Sequence, residues 1–526
     1  MRLTRRNFML SAASAAVASP FVIRPGFAQS SPNVIRSKVI ASLSSLDPIW
    51  TTAYITRNHG YMIFDTLFSV DEGLNVKPQM VDSFDISADQ LTYTFALRDG
   101  LRFHDGAPVT SADVIASIQR WSKKDNLGLR IGKLIGSLTA VDARTVRLEL
   151  TSPFSLLLQS LGKASSNCCF IMPERLAQTD VATQVTEMIG SGPFTFSAGD
   201  YVPGSKAVYV RNADYKPRQE PPSGTSGGKV VKVDRVEWLF MDDVTATNAM
   251  QSGELDYFEE PSPELLPVLG ALPGVTLDVT NKSGVEMVVR PNHTAKPFDN
   301  PDFRAAFMRM LNPVEHLTSY LGDPKYITVD GSVYPVGTPY HTDAGVITFN
   351  PDEAKELLAK SGYNNEPIVV LQATDIATNR IFSTVTADQL RRAGLNVQVQ
   401  ASDFSTMFAR ALKNDPIESG NGWHMIHFAN IATDMADPIT SRSLSGAGDY
   451  LGWAKDEKVE QLRTAFLAEG DIEKRKPIAA DIQVEALQQG FIFPGGTFYQ
   501  PHAYTAAIKN VVSAPVPIYW GMEKTA

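Results

Sequence analysis

Two acids three positions apart, in Ile431-Ala432-Thr433-Asp434-Met435-Ala436-Asp437-Pro438, are the residues of this chain best placed for charge chemistry. They follow residues 423–428, which read as a buried strand, so they stand at a strand's end, where α/β proteins form clefts. A carboxylate at such a place can hold a cation, or it can close a turn, and both readings of Asp434 stay open. Asp437 before Pro438 fits a helix N-cap and first helical position. His424 and His427 are the one close pair of histidines. On a helix their spacing would share a face and suit a metal; on a strand it points them to opposite sides, as packed or hydrogen-bonded rings. HExxH, paired CxxC and the Gly-rich nucleotide fingerprint are missing, and the one GxSxG spacing, Gly224-Thr225-Ser226-Gly227-Gly228, falls in a Pro- and Gly-rich loop with no strand-to-helix elbow around it. Hydrolytic or redox chemistry therefore has no nucleophile or ligand set, and no catalytic residue, metal or cofactor is expected.

Two glycine-rich stretches read as structural. Gly190-Ser191-Gly192-Pro193 permits a sharp turn before a strand at 194–197. Residues 221–229, PPSGTSGGK, lack a Gly five residues before Gly228 and a Ser or Thr after Lys229, which leaves a surface loop and not a phosphate cradle.

These residues need elements to hold them. Leu91, Tyr93, Phe95 and Leu97 alternate as in a half-buried strand, Arg98-Asp99-Gly100 turns the chain, and Leu101 and Phe103 resume alternation on a second strand. Thr110 with Asp113 has capping-box spacing, and Val114, Ile118 and Trp121 then share a helical face. Residues 71–189 read as a compact unit of short strands and two helices. A strand at 230–240 precedes a helix at 243–251 that stops at Gly253. Further on come a helix at 301–311, another opened by Asn350 as N-cap and Pro351, and a strand, helix and strand at 368–400 that form a β-α-β unit.

The order DEGLNVKPQMVDSFDISADQLTYTF, LRDGLRFHDGAPVTSADV, Gly190-Ser191-Gly192-Pro193-Phe194, LNPVEHL and FNPDEAKELLAKSGY resembles the extracellular solute-binding proteins of the dipeptide and oligopeptide class, family 5, which serve ABC importers. The likeness runs from about Ser44 to the C-terminus. It implies an α/β, periplasmic-binding-protein type two-lobed fold with an extra domain and a ligand cleft between the lobes. Residues 33–70, 190–288 and 498–526 would form lobe I, 71–189 the extra domain, and 289–497 lobe II. The peptide-binding members carry Trp-x-x-Asp-x-x-Asp/Glu-Pro at 431–438, and its first Asp meets the ligand's α-ammonium. Asp434 occupies that place, while Ile431 stands where the Trp would be. The resemblance therefore implies ligand contacts at Asp434, Thr433 and Ile431. On the opposite wall it implies contacts at Ser42 and Ser44, where peptide binders offer an acid and this chain a hydroxyl. A permease complex would be the partner, and the ligand a peptide or another amine-bearing solute. A secreted peptide hydrolase is the alternative from another class, and metal-complex, opine and sugar binders exist within the family.

At 526 residues the chain needs two or three domains, and 43% hydrophobic with 20% charged residues suits globular folding. Thr4-Arg5-Arg6-Asn7-Phe8-Met9-Leu10, an Ala-rich run and Gly26-Phe27-Ala28 match a twin-arginine signal peptide over residues 1–28. Removing them takes four Arg and no acid, leaving 44 Lys plus Arg against 57 Asp plus Glu, a net charge of −13. That acidity speaks against nucleic acid. A free periplasmic monomer is expected. Cys168 and Cys169, being adjacent, read as buried thiols and not as a disulfide framework.

Overall fold

The computed structural model describes residues 33–525, so the signal peptide read at residues 1–28 lies outside the described residues. The first large sheet runs Phe194–Phe196, Lys206–Arg211, Arg235–Leu239, Val34–Lys38, Tyr257–Phe258, His502–Thr505 and Val275–Asp278. Its centre is parallel: Val34–Lys38 lies between Arg235–Leu239 and Tyr257–Phe258, all pointing one way. Strand 235–239 is shorter than the 230–240 read from the sequence, because Val230 to Asp234 have no ladder partner. The helix Asp243–Ser252 ends at Gly253, whose φ of +77° closes it in the left-handed region that glycine enters without strain.

The second large sheet runs Ile327–Thr328, Phe493–Phe498, Val285–Pro291, Met425–Ile431, Ile368–Ala373 and Val397–Ser402. The helix Ala377–Arg392 joins two parallel strands as the β-α-β pattern predicts. Asn350 caps Pro351–Ser361 through the Glu353 N–H. The strand read at 423–428 lies later, at Met425–Ile431, because pairing with Val285–Pro291 starts at Met425. His424 instead meets Val369 twice: its backbone N–H donates to the Val369 carbonyl, and its Nδ1 accepts from the Val369 N–H, each at 2.9 Å.

A third, antiparallel sheet, Val81–Ile86, Thr92–Leu97, Thr145–Leu150 and Ile135–Ala140, packs under the helix Ser111–Trp121. Tyr93, Phe95 and Leu97 are buried in alternation, and both halves of the Thr110–Asp113 capping box form. Leu101 and Phe103 are buried too, but on a loop tied by a single bridge between Arg102 and Pro108, not on a second strand. This region holds four helices and not two, the extra ones being short or closely following: Asn126–Leu134, Leu157–Gly162 and Glu174–Ala177 join Ser111–Trp121. Arg120 reaches from that helix to Asp47 at 2.6 Å, both almost fully buried, and Asp47 also accepts from the Ile49 and Val185 N–H groups. Because the carboxylate meets several donors, the buried charge is compensated, and the loop that follows Asp47 is fixed.

Two sequence readings need correction in their physics. Gly190 and Gly192 lie against the backbone of Ile63, where a Cβ would come within 2.1 and 2.5 Å of it, so close packing demands glycine there. Residues 224–229 are buried, not a surface loop, because Lys229 pairs with Asp65 at 2.8 Å in the interior.

Between the large sheets the chain crosses twice within the described residues. Residues 279–284 lead from Val275–Asp278 into Val285–Pro291, and residues 499–501 lead back from Phe493–Phe498 into His502–Thr505. The crossings are pinned on both sides: Asp278 faces His502 in the first ladder and Val285 faces Phe498 in the second. Among the described residues no helix is long and apolar enough to cross a membrane.

Candidate functional site

Parallel strands leave their carboxyl ends on one side of a sheet, and the loops there define a crevice. Here both large sheets turn that side toward the same space, a cavity of about 660 Å³. Val34–Lys38 delivers Ile40 to it, and Tyr257–Phe258 delivers Glu260. From the opposite sheet, Ile368–Ala373 delivers Ile376, Val397–Ser402 delivers Phe404 and Met425–Ile431 ends on Ile431 itself. Five strand ends thus meet in one enclosure whose walls are largely aromatic and aliphatic, the composition expected of a small-molecule site.

The turn after Ile431 makes the junction between cavities. Residues Ala432–Asp434 form one 3₁₀ turn, which sends successive side chains in different directions. Ile431 faces the 660 Å³ cavity. Thr433 faces a second cavity of about 410 Å³ with apolar walls such as Phe68, Leu156 and Ile472, and its buried hydroxyl has no partner. Asp434 faces a third, polar cavity of about 720 Å³ that also receives Arg130, Lys133 and Arg442.

Asp434 is half-buried and already engaged. The Tyr54 hydroxyl, at the start of the helix Tyr54–Ile63 on the opposite wall, donates to Asp434 Oδ2 at 3.0 Å. Burial pushes the Asp434 carboxyl above its usual range, while Lys163, the Tyr54 hydrogen bond and Arg57 pull it back down. Burial and the neighbouring Asp434 push the Tyr54 hydroxyl far upward, so Tyr54 is the donor. Arg57 lies over the Tyr54 ring at 4.6 Å, and Lys163 is held by Asp125 at 2.6 Å.

The remaining candidates separate. Ser42 and Ser44 are exposed and line none of these three cavities; Ile40, two residues earlier, forms that wall. Asp437 caps no helix: its Oδ1 accepts from the Ile439 and Thr440 N–H groups and its Oδ2 from the Thr440 hydroxyl, closing a turn after Pro438. His424 and His427 are buried and hydrogen-bonded apart, His424 Nε2 to the Lys296 carbonyl at 2.6 Å and His427 Nε2 to the Thr386 hydroxyl at 2.8 Å. Burial drives the His427 ring down to about 3, which keeps it neutral. Cys168 and Cys169 are buried free thiols. Asp330, His341 and Asp343, which line none of these three cavities, gather ligand-type atoms within 4.8 Å, with His341 bonded to Asp330. Glu260 escaped the sequence reading altogether; the signal for it was the short extended step at Leu255 and Tyr257, whose far end it occupies.

Residues 75–449 match the family described as bacterial extracellular solute-binding proteins, family 5 middle. A protein of Sinorhizobium fredii named probable peptide ABC transporter periplasmic-binding protein y4tO is 35% identical, with all of both chains covered. The solved structure of the binding protein AgaA of A. tumefaciens R10, in complex with agropinic acid, superimposes with a TM-score of 0.76 at 21% identity, covering 94% of this chain and 99% of that one. The periplasmic binding protein DppA of Helicobacter pylori, in complex with the peptide STSA, gives 0.75 at 20% identity, covering 94% and 98%. At such identities these two likenesses speak for the two-lobed α/β fold alone.

Proposed function

The chain belongs to the bacterial extracellular solute-binding proteins of family 5, and from that premise we propose that it is the periplasmic component of an ABC importer, taking up a peptide or another amine-bearing solute by lobe closure. The observation that carries this reading is the enclosure formed by five strand ends from two sheets, with an acid-bearing turn at its edge. Such a site is assembled only when the lobes meet, so binding and closure are one event. Asp434 offers the ligand ammonium a carboxylate, and Ile431 and Thr433 shape the cavities on either side of it. Ser42 and Ser44 are exposed and would meet the solute only from the rim of the opposite wall.

The protein acts as a binder and not a catalyst, exported by the twin-arginine route and working as a monomer that docks on a membrane permease. Its lobes follow the divisions 33–70, 190–288 and 498–526, then 71–189, then 289–497, with the two crossings a few residues from the boundaries at 288 and 498. Native mass spectrometry of the protein purified from its own host tests the whole reading. An intact amine-bearing solute is the expected finding; cleavage products with no bound species after incubation with a peptide mixture would replace binding by hydrolysis.

A further inference from the structure

Glu260 is the one acid that the strand ends carry into the 660 Å³ cavity. It ends the short strand Tyr257–Phe258 with φ of +45°, a left-handed backbone that a glutamate adopts at a cost in strain. Its neighbour Glu259 turns the other way and is fully satisfied: the Tyr519 hydroxyl donates to one oxygen at 2.9 Å and the Ile40 N–H to the other at 3.2 Å. Glu260, by contrast, has no hydrogen-bond or ion-pair partner among the described residues. The two cations that bear on it are occupied, Lys38 by Asp243 at 2.6 Å and Arg57 by the Asn58 side chain and the Ala164 carbonyl. Around the cavity stand Tyr54, Tyr320, Phe404, Phe428 and Phe498. The strained backbone thus sets a lone carboxylate on the wall of an aromatic chamber, where it stays open to solvent.

A carboxylate left without a partner beside aromatic faces is a ready acceptor for a cation, since those faces attract cations as well. We infer that Glu260 is a cation-selecting subsite of the closed cavity, receiving an ammonium or guanidinium group of the solute distinct from the group met by Asp434. The inference rests on the solute-binding reading of this cavity and deepens it, since it requires a ligand with a second positive group or a cationic side chain.

Calorimetric titration tests it, with trialanine analogues bearing lysine, arginine or norleucine at the central position and, separately, with agmatine. The parent should bind the lysine or arginine peptide at least about tenfold more tightly than the norleucine peptide, the scale of one partly desolvated charge pair. Glu260→Gln should bring that ratio to about one. Glu260→Asp, which keeps the charge, should retain a preference. An unchanged ratio in Glu260→Gln overturns the inference and leaves peptide binding standing. So does a parent ratio of one, which decides the matter even if the variant does not fold. Agmatine binding that Glu260→Gln abolishes, with no peptide bound, upholds the inference and removes the peptide reading. Binding of no probe to the parent overturns both.

Discussion

Two carboxylates on neighbouring cavities, Asp434 and Glu260, are treated in opposite ways. Asp434 sits on a turn of the second lobe and takes a hydrogen bond from Tyr54 of the first, with Lys163 nearby. Glu260 sits at a strand end of the first lobe and has no partner among the described residues. The first acid is therefore written into the contact between lobes, so any ligand that uses it must share it with closure. The second has nothing to lose by binding. Affinity and closure should be read at Asp434, and choice of solute at Glu260.

The largest blow to this contrast should come from Asp434→Ala. Removing one member of a buried charge pair costs roughly 2 to 5 kcal/mol, so the host-supplied solute should bind on the order of tens to thousands of fold more weakly in calorimetric titration. Affinity equal to the parent's would leave Asp434 as a turn former only.

A fully buried acid sharpens the comparison by pH. Glu286 is satisfied inside its own sheet, accepting from the Gly496 N–H and the Thr497 hydroxyl, yet burial pushes it up to about 8. An unfolded glutamate titrates near about 4.3, so this group's stabilisation is complete below that pH and is lost as the pH rises through 8. Glu286→Gln lacks the titration. Its melting temperature should gain on the parent's between pH 5 and pH 9, and a constant gap would contradict the shift.

Tyr54→Phe removes the inter-lobe hydrogen bond and nothing else from Asp434. A typical bond contributes about 0.5–1.5 kcal/mol, so affinity should fall roughly two- to tenfold, with a smaller compaction on ligand addition in small-angle scattering. Asp437→Ala should give the smallest effect on function: about 1 kcal/mol of stability in denaturant unfolding, from the turn its carboxylate closes, and no change in affinity.

Local signals made much of the fold legible. The Thr110–Asp113 box, Asn350-Pro351, Gly253 and the alternation through Tyr93, Phe95 and Leu97 all act within a few residues, and each formed as read. Residues 224–229 were misread because their burial depends on Lys229 meeting Asp65, 164 positions away. Leu101 and Phe103 alternate like a strand, but alternation records burial and not pairing, and only one bridge forms. In the site, Ile431, Thr433 and Asp434 could be picked out from their place after a strand, whereas Glu260 belongs to a strand of two residues, too short to register as a pattern. Which strand ends share a chamber is decided by sheet order, and five of them come from segments spread from Ile40 to Ile431.

The two crossings between the sheets are unequal. Three residues, 499–501, span on one side what six residues, 279–284, span on the other, and both are clamped by ladder pairs at each end. In mechanical terms the short crossing is a hinge pin and the long one a check strap: the first fixes an axis, the second has slack and limits the swing. The pairs Asp278 with His502 and Val285 with Phe498 each hold within one sheet, so motion of one lobe against the other falls on the residues of the two crossings.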